Sequence, residues 1–167
     1  MLVLSIVQEA EMPRNITLIE LEGMGISISG AKMDNGELRV RCMQESGSGY
    51  IWTESPTGDK PQWQNAHYHK GIHETYIVGK GNIAFASRVP DGDWVVQVYG
   101  VDTVITSQPE ISHNVYLFAG SAIHTVKHGT PVGNPKKGGA DWYPAADDFD
   151  TWTKSLSEED IAKLSGS

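Results

Sequence analysis

The sequence predicts an all-β, antiparallel fold, and three observations carry that reading. Short runs of β-branched and apolar residues recur along the chain, set apart by clusters of Gly, Pro, Asn and Asp. With 18 glycines and 8 prolines in 167 residues, the composition is that of a turn-rich globular protein, and few stretches are long or periodic enough for extended helices. Residues 66–82, Ala-His-Tyr-His-Lys-Gly-Ile-His-Glu-Thr-Tyr-Ile-Val-Gly-Lys-Gly-Asn, read as strand, turn and strand, with chemistry-bearing side chains at period two. The length fits one domain able to bury a core without disulfide help, its barrel core over about 15–129 and a tail over 130–167.

In chain order, residues 2–8 read as an opening strand or arm, broken at Met12-Pro13-Arg14-Asn15. Residues 17–21 and 26–29 read as strands around a bend at Gly23 and Gly25. Asp34-Asn35-Gly36 is a turn, because Asn and Gly tolerate positive φ. Residues 38–43 alternate, and the apolar set Leu38, Val40 and Cys42 is expected to face inward with Arg39 and Arg41 in water. Residues 45–62, punctuated by Gly47, Gly49, Pro56, Gly58 and Pro61, are expected to form a long loop. It carries Tyr50 and Trp52 over the barrel mouth or along the core edge.

Gly79-Lys80-Gly81-Asn82 reverses the chain into residues 83–89, and Pro90-Asp91-Gly92-Asp93 reverses it again into 94–99, giving a three-stranded meander. Residues 101–106, 114–118 and 123–127 supply the last strand-like runs. Residues 130–153 read as an irregular tail, packed down by Trp142, Tyr143, Phe149 and Trp152. Ser157-Glu158-Glu159-Asp160 then opens a short N-capped helix.

The formal charge of −8 argues against a nucleic-acid partner, since phosphate backbones call for a basic surface. The lone Cys42 excludes a disulfide framework and fits a reducing compartment. Residues 1–7 are apolar but too short to span a bilayer or to act as a signal peptide, so a cytoplasmic protein without a membrane partner is expected.

His67 and His69 project from one face of a strand, and Glu74 follows after a turn, sharing its face with Tyr76 and Val78. Two imidazoles and a carboxylate converging on one point outline a metal site. The fourth candidate ligand is His124, which shares a face with Val126 and His128, opposite Thr125 and Lys127. Three His and one Glu suit one divalent Fe, Mn, Zn, Ni or Co ion better than Ca or Mg. Tyr76 reads either as a donor to ligand or substrate or as a core tyrosine. His73 reads as a surface residue, and His113, in Ser112-His113-Asn114, as structural or exposed.

His67-x-His69, Glu74 and Gly81 resemble the first motif of the cupin superfamily, with Pro61 where a glycine usually precedes the histidines. Gly120 and His124 are similar to part of the second motif, Pro-x-Gly-x-x-His-x-x-x-Asn, with three intervening residues instead of two and His128 in the asparagine place. The resemblance covers roughly residues 63–129. It implies a jelly-roll β-barrel with one metal inside, held by His67, His69, Glu74 and His124. It implies a metal-dependent enzyme acting on a small polar molecule, either an isomerase or epimerase using His128 or Tyr76 as base, or a dioxygenase. The alternative is a non-catalytic small-ligand-binding or sensory domain. A homodimer joined through edge strands is the expected assembly.

Overall fold

A computed structural model describes residues 17–58, 60–88, 92–134, 136 and 140–166. The expected strand at 2–8, the break at 12–15 and the first half of the turn at 90–93 lie outside the described residues.

Alternating runs closed by tight turns give eleven described strands in two antiparallel sheets. The first sheet is built from β1 (Ile26–Lys32), β2 (Leu38–Gln44), β3 (Gly49–Glu54), β5 (Ile72–Lys80), β8 (Val104–Ser107) and β10 (Ala122–Gly129), in the spatial order β1-β2-β3-β10-β5-β8. The second contains β4 (His67–Tyr68), β6 (Asn82–Arg88), β7 (Trp94–Gly100), β9 (His113–Leu117) and β11 (Tyr143–Pro144), in the order β11-β4-β9-β6-β7. Gly36 and Gly81 sit at the reversals with φ of 86° and 66°, a conformation that costs a side-chain-bearing residue energy.

The inner faces of the two sheets meet around Tyr76, Val78, Ile83, Phe85, Val115, Leu117 and Ile123. The outer face of the second sheet is covered by helices α2 (Asp147–Ser155) and α3 (Glu158–Ser165). Small residues there, Ala84 and Ala86, leave room for Phe149 and Ile161, each fully buried. Among the described residues, no helix is long and apolar enough to cross a membrane.

Four expectations are corrected. Residues 17–21 are not a strand: Thr17 and Glu20 form a reciprocal capping box that starts helix α1 (Leu18–Gly23). The expected loop at 45–62 contains β3, whose pairing to both β2 and β10 satisfies backbone groups that a loop would leave to water. Strand β2 faces the opposite way from the expected one, with Leu38 and Val40 exposed and Arg39 turned onto the buried Glu37 at 2.6 Å. A buried carboxylate outweighs the hydrophobic preference of one strand face. The tail is not irregular throughout, since it holds β11 and α2 before the expected α3, which Ser157 and Asp160 cap as a box.

Candidate metal centre

Strands β4 and β9 of one sheet, the residue that follows β4, and β5 of the other sheet bring His67, His69, Glu74 and His113 together. One ligand atom from each lies within 4.8 Å of the others, and all four residues are buried. Glu74 Oε2 stands 3.4 Å from His67 Nε2, 3.2 Å from His69 Nε2 and 3.1 Å from His113 Nε2. Its other oxygen, Oε1, is held by Lys127 Nζ at 2.8 Å, while Tyr76 donates its hydroxyl to Oε2 at 2.5 Å.

The ring orientations have a common cause. His67 Nδ1 lies 2.9 Å from the Asn65 carbonyl, His113 Nδ1 lies 3.0 Å from the Ile111 carbonyl, and His69 Nδ1 meets the Asp141 carbonyl. A carbonyl only accepts, so each neutral ring carries its proton on Nδ1 and turns an Nε2 lone pair inward. Three lone pairs and a carboxylate oxygen then face one point, an arrangement that repels itself unless a cation sits there. His69 Nε2 is buried without a hydrogen-bond partner among the described residues, which fits the same conclusion. The donor set matches the nitrogen-and-oxygen chemistry of a divalent transition metal.

Charge placement supports this state. Burial, then the neighbouring His113, push the His67 imidazole down to about 4, so it is neutral near pH 7. Burial alone would raise Glu74, but the charge of the Lys127 ammonium, ahead of any other lowering influence, holds the carboxyl well below its usual range. Burial, then Glu74, push the Tyr76 hydroxyl well above its usual value, so it remains a donor.

The sequence-based expectations fare differently residue by residue. His67, His69 and Glu74 come together, but the fourth member is His113 and not His124. In the β10–β5 register Lys127 stands opposite Glu74 and Thr125 opposite Tyr76, so Thr125 and Lys127 take the inward parity. His124 therefore lies on the outer face, its Nδ1 2.7 Å from the Tyr50 hydroxyl and its Nε2 beside Gly79, where a Cβ would stand only 2.8 Å away. His128 lies on that outer face too, stacked on His73 at 5.3 Å between ring centroids and bonded to Thr75 at 3.0 Å. Tyr76 points inward as its parity requires, with its hydroxyl committed to Glu74.

Sequence reasoning missed His113, Asp141 and Lys127. The signal for His113 was Pro109, four residues upstream, one residue short of the proline-to-histidine spacing in the second motif. Asp141 holds the turn between the two ligand strands: its carboxylate accepts from the backbone N–H groups of Lys70, Gly71, Ile72 and Val132 at 2.9–3.1 Å. Its burial would raise its pKa, yet those donors keep it below the usual carboxylate range. No local motif in the sequence marks that role.

Two face-to-face antiparallel sheets, with a buried three-histidine, one-carboxylate group between them that could hold a metal ion, define a β-barrel of jelly-roll type. The chain has the cupin fold. It is similar in structure to an oxalate decarboxylase variant from Bacillus subtilis, with a TM-score of 0.54 and 10% identity over 82% of this chain and 37% of that one. It is also similar to the capsular polysaccharide assembling protein CapF from Staphylococcus aureus, with a TM-score of 0.52 and 14% identity over 70% of this chain and 32% of that one. A third neighbour is the CENP-C domain of that fold from Drosophila melanogaster, with a TM-score of 0.50 and 13% identity over 70% of this chain and 86% of that one. The chain thus spans about a third of the length of CapF. No protein-family model matches the sequence, and no curated protein matches it.

Proposed function

We propose that this chain is a metal-dependent enzyme acting on a small polar molecule, with one divalent transition metal held by His67, His69, Glu74 and His113. The observation that carries the reading is the set of three Nδ1 contacts to backbone carbonyls, which leaves three Nε2 lone pairs and Glu74 Oε2 aimed at one point. When bound, such an ion supplies Lewis-acid polarisation of a substrate oxygen or a site for O₂. Around it, Lys127 and Tyr76 hold Glu74, and Asp141 holds the His69 ring and the turn that follows it.

A cavity of about 450 Å³ opens beside His67 and is walled largely by polar side chains. That wall supports chemistry on an oxygenated substrate, of isomerase or epimerase type, over a dioxygenase reaction that needs a more apolar pocket. The second reading, a non-catalytic ligand-binding domain, draws on a different observation. The Tyr76 hydroxyl is committed to Glu74 and His128 lies outside the barrel, so neither candidate base faces the cavity.

The test is the metal content of protein purified without added metal, followed by the same measurement on His67→Ala and Glu74→Ala. About one ion per chain, lost in both variants, is the expected result. A wild-type chain that holds none and takes up none removes the metal-enzyme reading.

A further inference from the structure

The two sheets differ in what lies over their outer faces. Helices α2 and α3 cover the second, whereas apolar side chains on the first stay in water, Val104 at 61% exposed, Ile28 at 49%, and Val40, Tyr50 and Val126 at 37–41%. Single exposed apolar residues are ordinary, but these adjoin one another.

The strand register joins them into rows. One row runs Ile28, Cys42, Tyr50, Val126, Thr75 and Thr106, taking one residue from each strand of the first sheet. The next, two residues along each strand, starts at Gly30 and Val40 and passes through Trp52, His124 and Ile77 to Val104. Tyr50 ties the two together through its hydroxyl, 2.7 Å from His124 Nδ1. Neither row holds an Asp, Glu, Lys or Arg, although charged residues make up 20% of the chain. Charge returns at one end of the face, with Lys32 and with Glu54 and Lys80 at 3.9 Å from each other. An uncharged centre carrying Tyr and Trp inside a charged margin is the build of a protein interface.

We infer that this chain forms a two-fold dimer in which the outer faces of the two first sheets pack on each other. The size fits: six strands about 4.8 Å apart and about 20 Å long offer roughly 600 Å² per copy, against roughly 600–1,000 Å² a side in specific complexes. The charge fits as well. Copies of net charge −8 repel elsewhere, while an uncharged face lets them meet without opposing like charges and gives a charged partner nothing to pair with. Twisted antiparallel sheets stack face to face, and a two-fold axis does this with the same rows from each copy. Arg39, which lines the cavity beside His67, alternates with Val40 on β2, so the cavity lies on the other side of the sheet and stays open in the dimer.

Sedimentation of the full chain over about 1–100 µM tests this, because mass action makes a dimer concentration-dependent. A dimer at the upper end is expected. Val40→Glu and Val126→Glu, which set like charges against each other on exposed positions, should each weaken it at least about ten-fold, with Co(II) binding and the circular dichroism spectrum unchanged. Val40→Thr, uncharged and of the same shape, should keep it. The lone Cys42 lies in the first row and reads the same face without any substitution. Its alkylation by iodoacetamide should slow as the wild-type chain is concentrated and should not slow in the Glu variants. A monomer throughout that range, or a dimer whose affinity survives both Glu variants, would overturn the inference. So would a dimer in which Cys42 reacts as fast as in the monomer, the result of a joint through edge strands.

Discussion

At the scale of single residues, the site depends on groups that never touch the ligand point. Asp141 gathers four backbone N–H groups from the turn after His69 and from Val132, and its carbonyl orients His69. Asp141→Ala leaves those donors without their charged acceptor. A loss of roughly 3 kcal/mol or more in urea-unfolding stability is expected, together with weaker metal binding. Lys127 occupies Glu74 Oε1, leaving Oε2 to face the histidines and accept from the Tyr76 hydroxyl. Lys127→Met should therefore change the visible spectrum of the Co(II)-loaded protein, with Lys127→Arg restoring it; identical spectra for all three proteins would show that Lys127 does not position the carboxylate.

At the scale of elements, helix α2 acts as a lid on the outer face of the second sheet. Phe149 is fully buried against Trp94 and Trp152, and Thr153 accepts from Asn114 at 2.8 Å. Phe149→Ala should cost about 3–5 kcal/mol, read as a lower denaturation midpoint at unchanged slope. The element scale also shows what the sequence makes legible. Strands β5, β6, β9 and β10 are readable because apolar runs and Gly turns delimit them, and His67, His69 and Glu74 because period-two parity fixes their common side. Parity alone cannot say which side goes in. For β10 the answer comes from pairing with β5, which turns Lys127 inward and His124 out; for β2 it comes from Glu37, which draws Arg39 off the surface. Both are long-range facts. Helix α1 reads wrongly as a strand when its β-branched run is weighed above the Thr17-x-x-Glu20 box, a local signal present in the sequence.

At the scale of the whole molecule, the barrel carries a buried polar centre whose stability contribution is set by protons. In metal-free protein His67 has a pKa of about 4, below the ordinary 6.5 that the unfolded chain keeps. Between those values the unfolded chain binds the extra proton, so stability is full above about pH 6.5 and falls as the pH drops toward 4. The loss from His67 should amount to roughly 3 kcal/mol, measurable as denaturation midpoints of metal-free protein across that window. His67→Gln should flatten the slope there.

The central claim is that four named residues, drawn from both sheets, form one metal centre. Its most direct test is titration of metal-free protein with Co(II), comparing the wild type with His113→Ala and His124→Ala. One ion per chain in the wild type and in His124→Ala, with affinity reduced at least about a hundred-fold in His113→Ala, is the result predicted. Unchanged binding in His113→Ala, or loss in His124→Ala, would contradict it.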